Sequence, residues 1–169
     1  VYDRPELNNL SVRLSFMSDF TEHTRLLYGS MYSEDGRDED GNIEVVISQE
    51  CMVKSRLLLG EVLEFIYMKD YEGNPIRFKI VGVYDKAQSE DFYWQYEPSE
   101  LNNVVFMNEA LFREMFTGEN AFKFTITCQY FALFDYKKVT ALDVPDLKAY
   151  TDYLCDESPY RNTLSDPDY

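Results

Sequence analysis

A chain of 169 residues with 45% hydrophobic and 16% aromatic residues has the composition of a folded globular domain, not of a disordered acidic segment. Its 16 Lys+Arg stand against 31 Asp+Glu, a formal net charge of -15. That balance argues against nucleic acid as a partner, because phosphate binding needs cations that release counterions, and equally against docking on an anionic membrane face. No run of about 18 apolar residues occurs, so no segment is predicted to span a bilayer.

The chain opens at Val1, with neither an initiator methionine nor a basic-then-apolar signal segment, and so reads as a piece of a longer protein. Leu10, Val12, Leu14 and Phe16 alternate with Ser11, Arg13 and Ser15, which predicts a half-buried strand. His23 follows in a polar TEHT stretch, where a lone exposed histidine needs no catalytic explanation.

Residues 34–40 (EDGRDED) hold five acids and one Arg, and Asp35-Gly36 and Asp40-Gly41 predict a solvated, hairpin-like loop. Asp38, Asp40 and Asn42 alternate as calcium ligands do, but Ile43 stands where the loop needs Gly and Gln49 where it needs Glu. The calcium match fails.

Ile43, Val45 and Ile47 predict a short strand. Ser48 can cap a helix running to about Leu58, with Met52, Val53 and Leu57 on its inner face. Leu63, Phe65 and Tyr67, then the Glu72-Gly73-Asn74-Pro75 turn, then Ile76, Phe78 and Ile80 read as a hairpin.

The segment Phe92-Tyr93-Trp94-Gln95-Tyr96 contains the only Trp. Its rings suit three roles: plugging the end of the sheet, anchoring a protein partner, or stacking on a sugar.

Val104–Met107 is a further apolar run. Asn108 can cap a helix whose stripe is Leu111, Phe112, Met115 and Phe116, stopped by Thr117-Gly118. Phe122, Phe124, Ile126, Cys128, Tyr130, Ala132 and Phe134 predict one long bent strand or two strands with a bulge. Asp143 and Pro145 open a third helix, with Leu147, Tyr150 and Leu154 inward. The sequence from Asp156 to Tyr169 is a polar tail.

Strands and about three helices mix without a βαβ repeat, so the expected class is α+β with a mostly antiparallel sheet. Cys51, Cys128 and Cys155 are far apart and read as small buried apolar residues, with at least one free thiol. With one histidine and no CxxC, no metal site is expected. No GxSxG, HExxH, P-loop or GxGxxG occurs, and 31 acids offer too many carboxylates to single out a catalytic pair. The expectation is a non-enzyme without cofactor.

Four stretches follow one another in a suggestive order. They are Leu26-Leu27-Tyr28-Gly29-Ser30-Met31-Tyr32, Glu44-Val45-Val46-Ile47-Ser48-Gln49-Glu50, Leu59-Gly60-Glu61-Val62-Leu63 and Phe78-Lys79-Ile80-Val81-Gly82-Val83. The succession resembles the extracytoplasmic, periplasmic-core-like domain of MacB/FtsX-type ABC transporter permeases. That domain carries a G-R-x-aromatic element, a V-V-I-S strand entering a helix, a vGD turn and an f-x-V-v-G-V strand. Val105-Phe106-Met107 and Asp143–Cys155 are similar to its next strand and its late helix. Ser30 stands where Arg is common, and Glu61 where Asp is.

The resemblance covers roughly residues 26–155 and implies one extracytoplasmic domain over 1–155, with 156–169 a linker toward a transmembrane helix. It implies a soluble, non-catalytic domain at the cell membrane that senses or couples to substrate or partner during export or force transmission. The implied partners are a cytoplasmic ATP-binding subunit, reached through transmembrane helices outside this chain, and an extracytoplasmic protein or peptide. Phe92, Tyr93, Trp94 and Tyr96 are the candidate contact surface. The competing expectation is a free-standing acidic secreted module binding carbohydrate or calcium.

Overall fold

A computed structural model of the chain describes residues 11–69, 73–117, 126–129, 131 and 137–156, without the side chains of 66–68 and 154–156. The chain divides into two compact units, Val1–Cys128 and Gln129–Tyr169. In the first unit the strands are β1 (Arg13–Ser15), β2 (Thr24–Gly29), β3 (Ile43–Ser48), β4 (Val62–Lys69), β5 (Pro75–Lys86) and β6 (Val104–Met107). Helix α1 (Gln49–Ser55) follows β3, and α2 (Glu109–Thr117) follows β6.

The strands form one six-stranded sheet in the order β1-β6-β3-β5-β2, with β4 also on β5. The pairs β2–β5, β3–β6 and β4–β5 are antiparallel, whereas β1–β6 and β3–β5 are parallel. The class is α+β, as expected, and the sheet is mixed. β3 pairs along one side of the twelve-residue β5, while β4 and β2 lie end to end along the other.

Both faces of the sheet are covered. Val45, Ile47, Ile76, Phe78, Ile80, Val83, Val105 and Met107 face Cys51 of α1 and Leu111, Phe112, Met115 and Phe116 of α2. Val46, Tyr84, Val104 and Phe106 face the opposite way, onto Phe20 and Trp94. Double-sided burial explains why β3 reads IEVVIS, a nearly continuous apolar run. A bulge in β5 makes the switch possible. Val45 opposes Ile80 but Val46 opposes Gly82, so Val81 is the extra residue. The added residue keeps Val83 on the same face as Ile80 and turns Tyr84 to the other.

Both predicted N-caps form. Ser48 Oγ accepts the Cys51 N–H at 3.1 Å, and Asn108 Oδ1 accepts the Leu111 N–H at 3.0 Å. Helix α1 is shorter than expected. Arg56 adopts φ 54 and the Leu57 N–H returns to the Met52 carbonyl at 3.0 Å, which ends the helix at Ser55. Cys51 is the fully buried residue of α1; of the residues expected inside, Met52 is partly buried against the same core and Leu57, past the helix end, is buried, but Val53 is 63% exposed. Cys128, expected to be buried, is exposed, and both Cys51 and Cys128 are free thiols. Of the strand expected over 122–134, most lies outside the described residues, and 126–129 has no regular structure. The polar tail beyond Asp156 also lies outside the described residues.

The acidic loop is anchored as well as solvated. The expected hairpin shape is present: Arg37 bridges Ile43, and Gly36 and Gly41 take positive φ. The Asp38 side chain, however, is only 9% exposed and receives Lys79 Nζ from β5 at 3.0 Å. Asp38 Oδ1 also accepts the backbone N–H groups of Asp40 and Asn42. Burial opposes ionisation here. The hydrogen bonds from Asn42 and Lys79, with the Lys79 charge, outweigh it and hold the carboxyl at about 2.

A depressed folded pKa gives stability that is fully present above the ordinary carboxylate range and is lost as pH falls toward 2. Asp38→Ala is expected to cost about 1–2 kcal/mol at neutral pH. In urea titrations at stepped pH, the variant should also lose less stability than the parent between the ordinary carboxylate range and that low value. Parallel curves for both proteins would show that the anchor contributes nothing.

In the second unit, α3 (Val144–Asp156) begins where expected. Asp143 Oδ2 accepts the Thr140 N–H and hydroxyl, each at 2.7 Å, which holds its carboxyl below the usual range. Tyr150, expected inside, is exposed. The Leu154 side chain lies outside the described residues.

Candidate functional site

The aromatic segment lies between β5 and β6, and it covers the second face of the sheet. Its four rings do not act alike. Trp94 is 8% exposed, and its ring lies 5.9 Å from Tyr84, nearly parallel, and edge-on to Phe20 at 6.0 Å. Its indole Nε1 donates to the His23 carbonyl at 3.2 Å, which satisfies the one polar atom that burial would orphan. Tyr93 stacks flat on the His23 imidazole, with centroids 3.9 Å apart at 4°, and its hydroxyl donates to the Ser18 carbonyl at 2.7 Å. Phe92 is 83% exposed and Tyr96 48% exposed. The candidate surface is thus two outward rings on a platform built from two inward ones.

His23 is not the solitary polar residue its TEHT context suggests. Its Nδ1 lies 2.8 Å from Asp91 Oδ2, and its carbonyl also accepts the Ala87 N–H at 3.0 Å. Asp91 in turn accepts the Tyr93 N–H at 3.0 Å. The His23 hydrogen bond and then that N–H hold the Asp91 carboxyl below its ordinary range. The imidazole is thereby fixed as a strut for the segment, with one nitrogen engaged.

Two shallow cavities border this face. The larger, about 290 Å³, is lined in part by Asp19, Glu22, Tyr32 and Glu109, and among the described residues its walls include no Lys, Arg or His. Burial, and then the Glu109 charge, raise the Tyr32 phenol. The smaller, about 210 Å³, is lined by Ser48, Gln49, Glu50 and Tyr84 among others. Burial raises the Tyr84 phenol far above its ordinary range.

Among the described residues no group of three or more His, Cys, Asp or Glu side chains is gathered as a metal ion would need. The Asp38 carboxylate of the calcium-like loop is already taken by Lys79 and Asn42. Among the described residues no helix is long and apolar enough to cross a membrane. Comparison of the chain with protein-family models, with curated proteins and with solved structures gives no match in any of the three.

Proposed function

We propose that this chain is a non-catalytic extracytoplasmic domain of a MacB/FtsX-type ABC transporter permease, and that it contacts a protein or peptide partner through Phe92 and Tyr96. The supporting observation is the way the family-like stretches fit together. Val45-Val46-Ile47-Ser48 is the end of β3 entering the capped helix α1. Leu59-Gly60-Glu61 is a turn with Gly60 at φ 81, feeding β4. Phe78–Val83 is the middle of β5, hydrogen-bonded beside β3. These are the roles that the resemblance implies for them, in one connected unit. In this reading the domain moves with transmembrane helices driven by a cytoplasmic ATP-binding subunit, and its outward aromatic rings engage the partner.

The test uses the full-length gene product in its native cell, in a Cys155→Ser background. Exposed Cys128 should react with a membrane-impermeant maleimide in intact spheroplasts, and the protein should sediment with carbonate-washed membranes. Labelling that requires lysis, or a protein left in the soluble fraction, would overturn the permease reading. Phe92→Ala/Tyr96→Ala tests the contact surface separately. It should abolish transport or partner activation at normal expression, and unchanged activity would dismiss that surface.

A further inference from the structure

A second surface is independent of the aromatic segment and of the permease reading. β2 ends the strand order, and among the described residues its six residues pair on one side only, with β5. An open edge of this length is a template for another strand, and proteins usually blunt one with Lys, Pro, an inward charge or a short span. At the opposite end, β1 is blunted by length, with only three residues. β2 reads TRLLYG, and its single charge is turned away from the edge. Arg25 folds back onto β5, with Nε donating to the Lys86 carbonyl at 3.1 Å and Nη2 to Asp85 at 2.7 Å. Among the described residues one bulge, between Leu26 and Tyr28, is its only guard.

The edge is also apolar. Leu26 is 40% exposed and Tyr28 57% exposed. Leu59, 45% exposed, lies against Gly29 at the end of the strand. Charge then selects the occupant. Arg25, Lys54, Arg77, Lys79, Lys86 and Arg113 are each already paired with a carboxylate of this chain. Each pair also consumes one carboxylate, so the excess of 31 acids over 16 bases remains a property of the whole chain and favours a basic partner over an acidic one. A second copy, also at -15, is repelled.

We propose that the outer edge of Thr24–Gly29 docks an extended, basic segment of a partner protein, with apolar side chains at alternate positions, which adds to the sheet as a further strand. Backbone hydrogen bonds supply the affinity, Leu26, Tyr28 and Leu59 meet the apolar side chains, and charge excludes acidic sequences.

The probe is a capped octapeptide alternating Val and Lys, with a Val/Glu peptide as control, read by fluorescence anisotropy and by hydrogen exchange on the intact chain. The Val/Lys peptide should bind saturably, weaken with added salt, and slow exchange at the amides of Thr24–Gly29 about tenfold or more. The Val/Glu peptide should not bind. Leu26→Lys/Tyr28→Lys should weaken the Val/Lys peptide by about tenfold or more. Absence of saturable binding, protection confined to other strands, or equal affinity of the double variant would each overturn the proposal. So would protection of these amides by self-association without peptide, which would assign the edge to a second copy. If the double variant does not fold, the exchange map of the parent chain decides alone.

Discussion

Trp94→Ala is expected to destabilise the first unit by about 3–5 kcal/mol, while Phe92→Ala, two residues away, should change stability by less than about 0.5 kcal/mol. The difference follows from where the rings lie. Trp94 fills the space beside Phe20 and Tyr84 on the sheet face that neither α1 nor α2 covers, so its removal leaves a void in this smaller core. The same change frees the His23 carbonyl from its indole partner. Phe92 projects into solvent and loses nothing on truncation.

Chemical unfolding of the two single variants separates the rings. Equal and small effects would mean that the segment is not a structural lid. If Trp94→Ala destabilises as expected, activity lost in that variant reports unfolding rather than a lost contact, which is why Phe92 and Tyr96 are the informative positions for partner binding.

The elements set by local chemistry are legible in the amino-acid sequence. Ser48 and Asn108 announce their helices because a side-chain oxygen three residues before an N–H is a short-range pattern, and the α2 stripe follows the helical period. Three features depend on distant partners and are not legible. β2 shows no clean alternation, because it lies at an edge with a bulge at Leu27, and its strand character comes from β5 some 60 residues on. β5 breaks its alternation after Ile80 because Val81 is the bulged residue, although the strand runs to Lys86. The parallel pairings of β1 with β6 and β3 with β5 leave no local mark at all.

The site divides in the same way. The aromatic run is conspicuous in the sequence, but which rings turn inward is decided by the sheet face that carries Tyr84 and Phe106 and by the His23 backbone, both remote. Asp38 looks like one more solvated acid until Lys79, 41 residues away, meets it. Gly82 is the exception, since a glycine within a strand does suggest a bulge or a close approach, and here both occur.

That glycine and its partner carry the other large expected effect. Gly29 opposes Gly82 across β2 and β5. A Cβ on Gly82 would run into the Ser30 carbonyl oxygen, and one on Gly29 into the Val81 carbonyl oxygen. Both obstacles are backbone, and the Ser30 N–H is itself bonded to the Val81 carbonyl at 2.9 Å, so neither can move aside without opening the β2–β5 joint. Gly29 also sits at φ 76, a conformation that penalises any Cβ by about 1–2 kcal/mol. Adding a steric cost of about 1–3 kcal/mol, Gly29→Ala should destabilise by about 2–5 kcal/mol and Gly82→Ala, which carries the steric cost alone, by about 1–3 kcal/mol.

Gly60→Ala is the internal control. Its φ of 81 is as unfavourable, but a Cβ there meets nothing within 4 Å, so only the conformational cost of about 1–2 kcal/mol applies. Urea unfolding of the three variants therefore ranks them Gly29, Gly82, Gly60, and a Gly29 variant no worse than Gly60 would show that the two strands are not in close backbone contact. The ranking bears on function too. The joint holds β2 against β5, so Gly82→Ala should raise hydrogen exchange at Thr24–Gly29 before the rest of the sheet, at a substitution outside β2 itself.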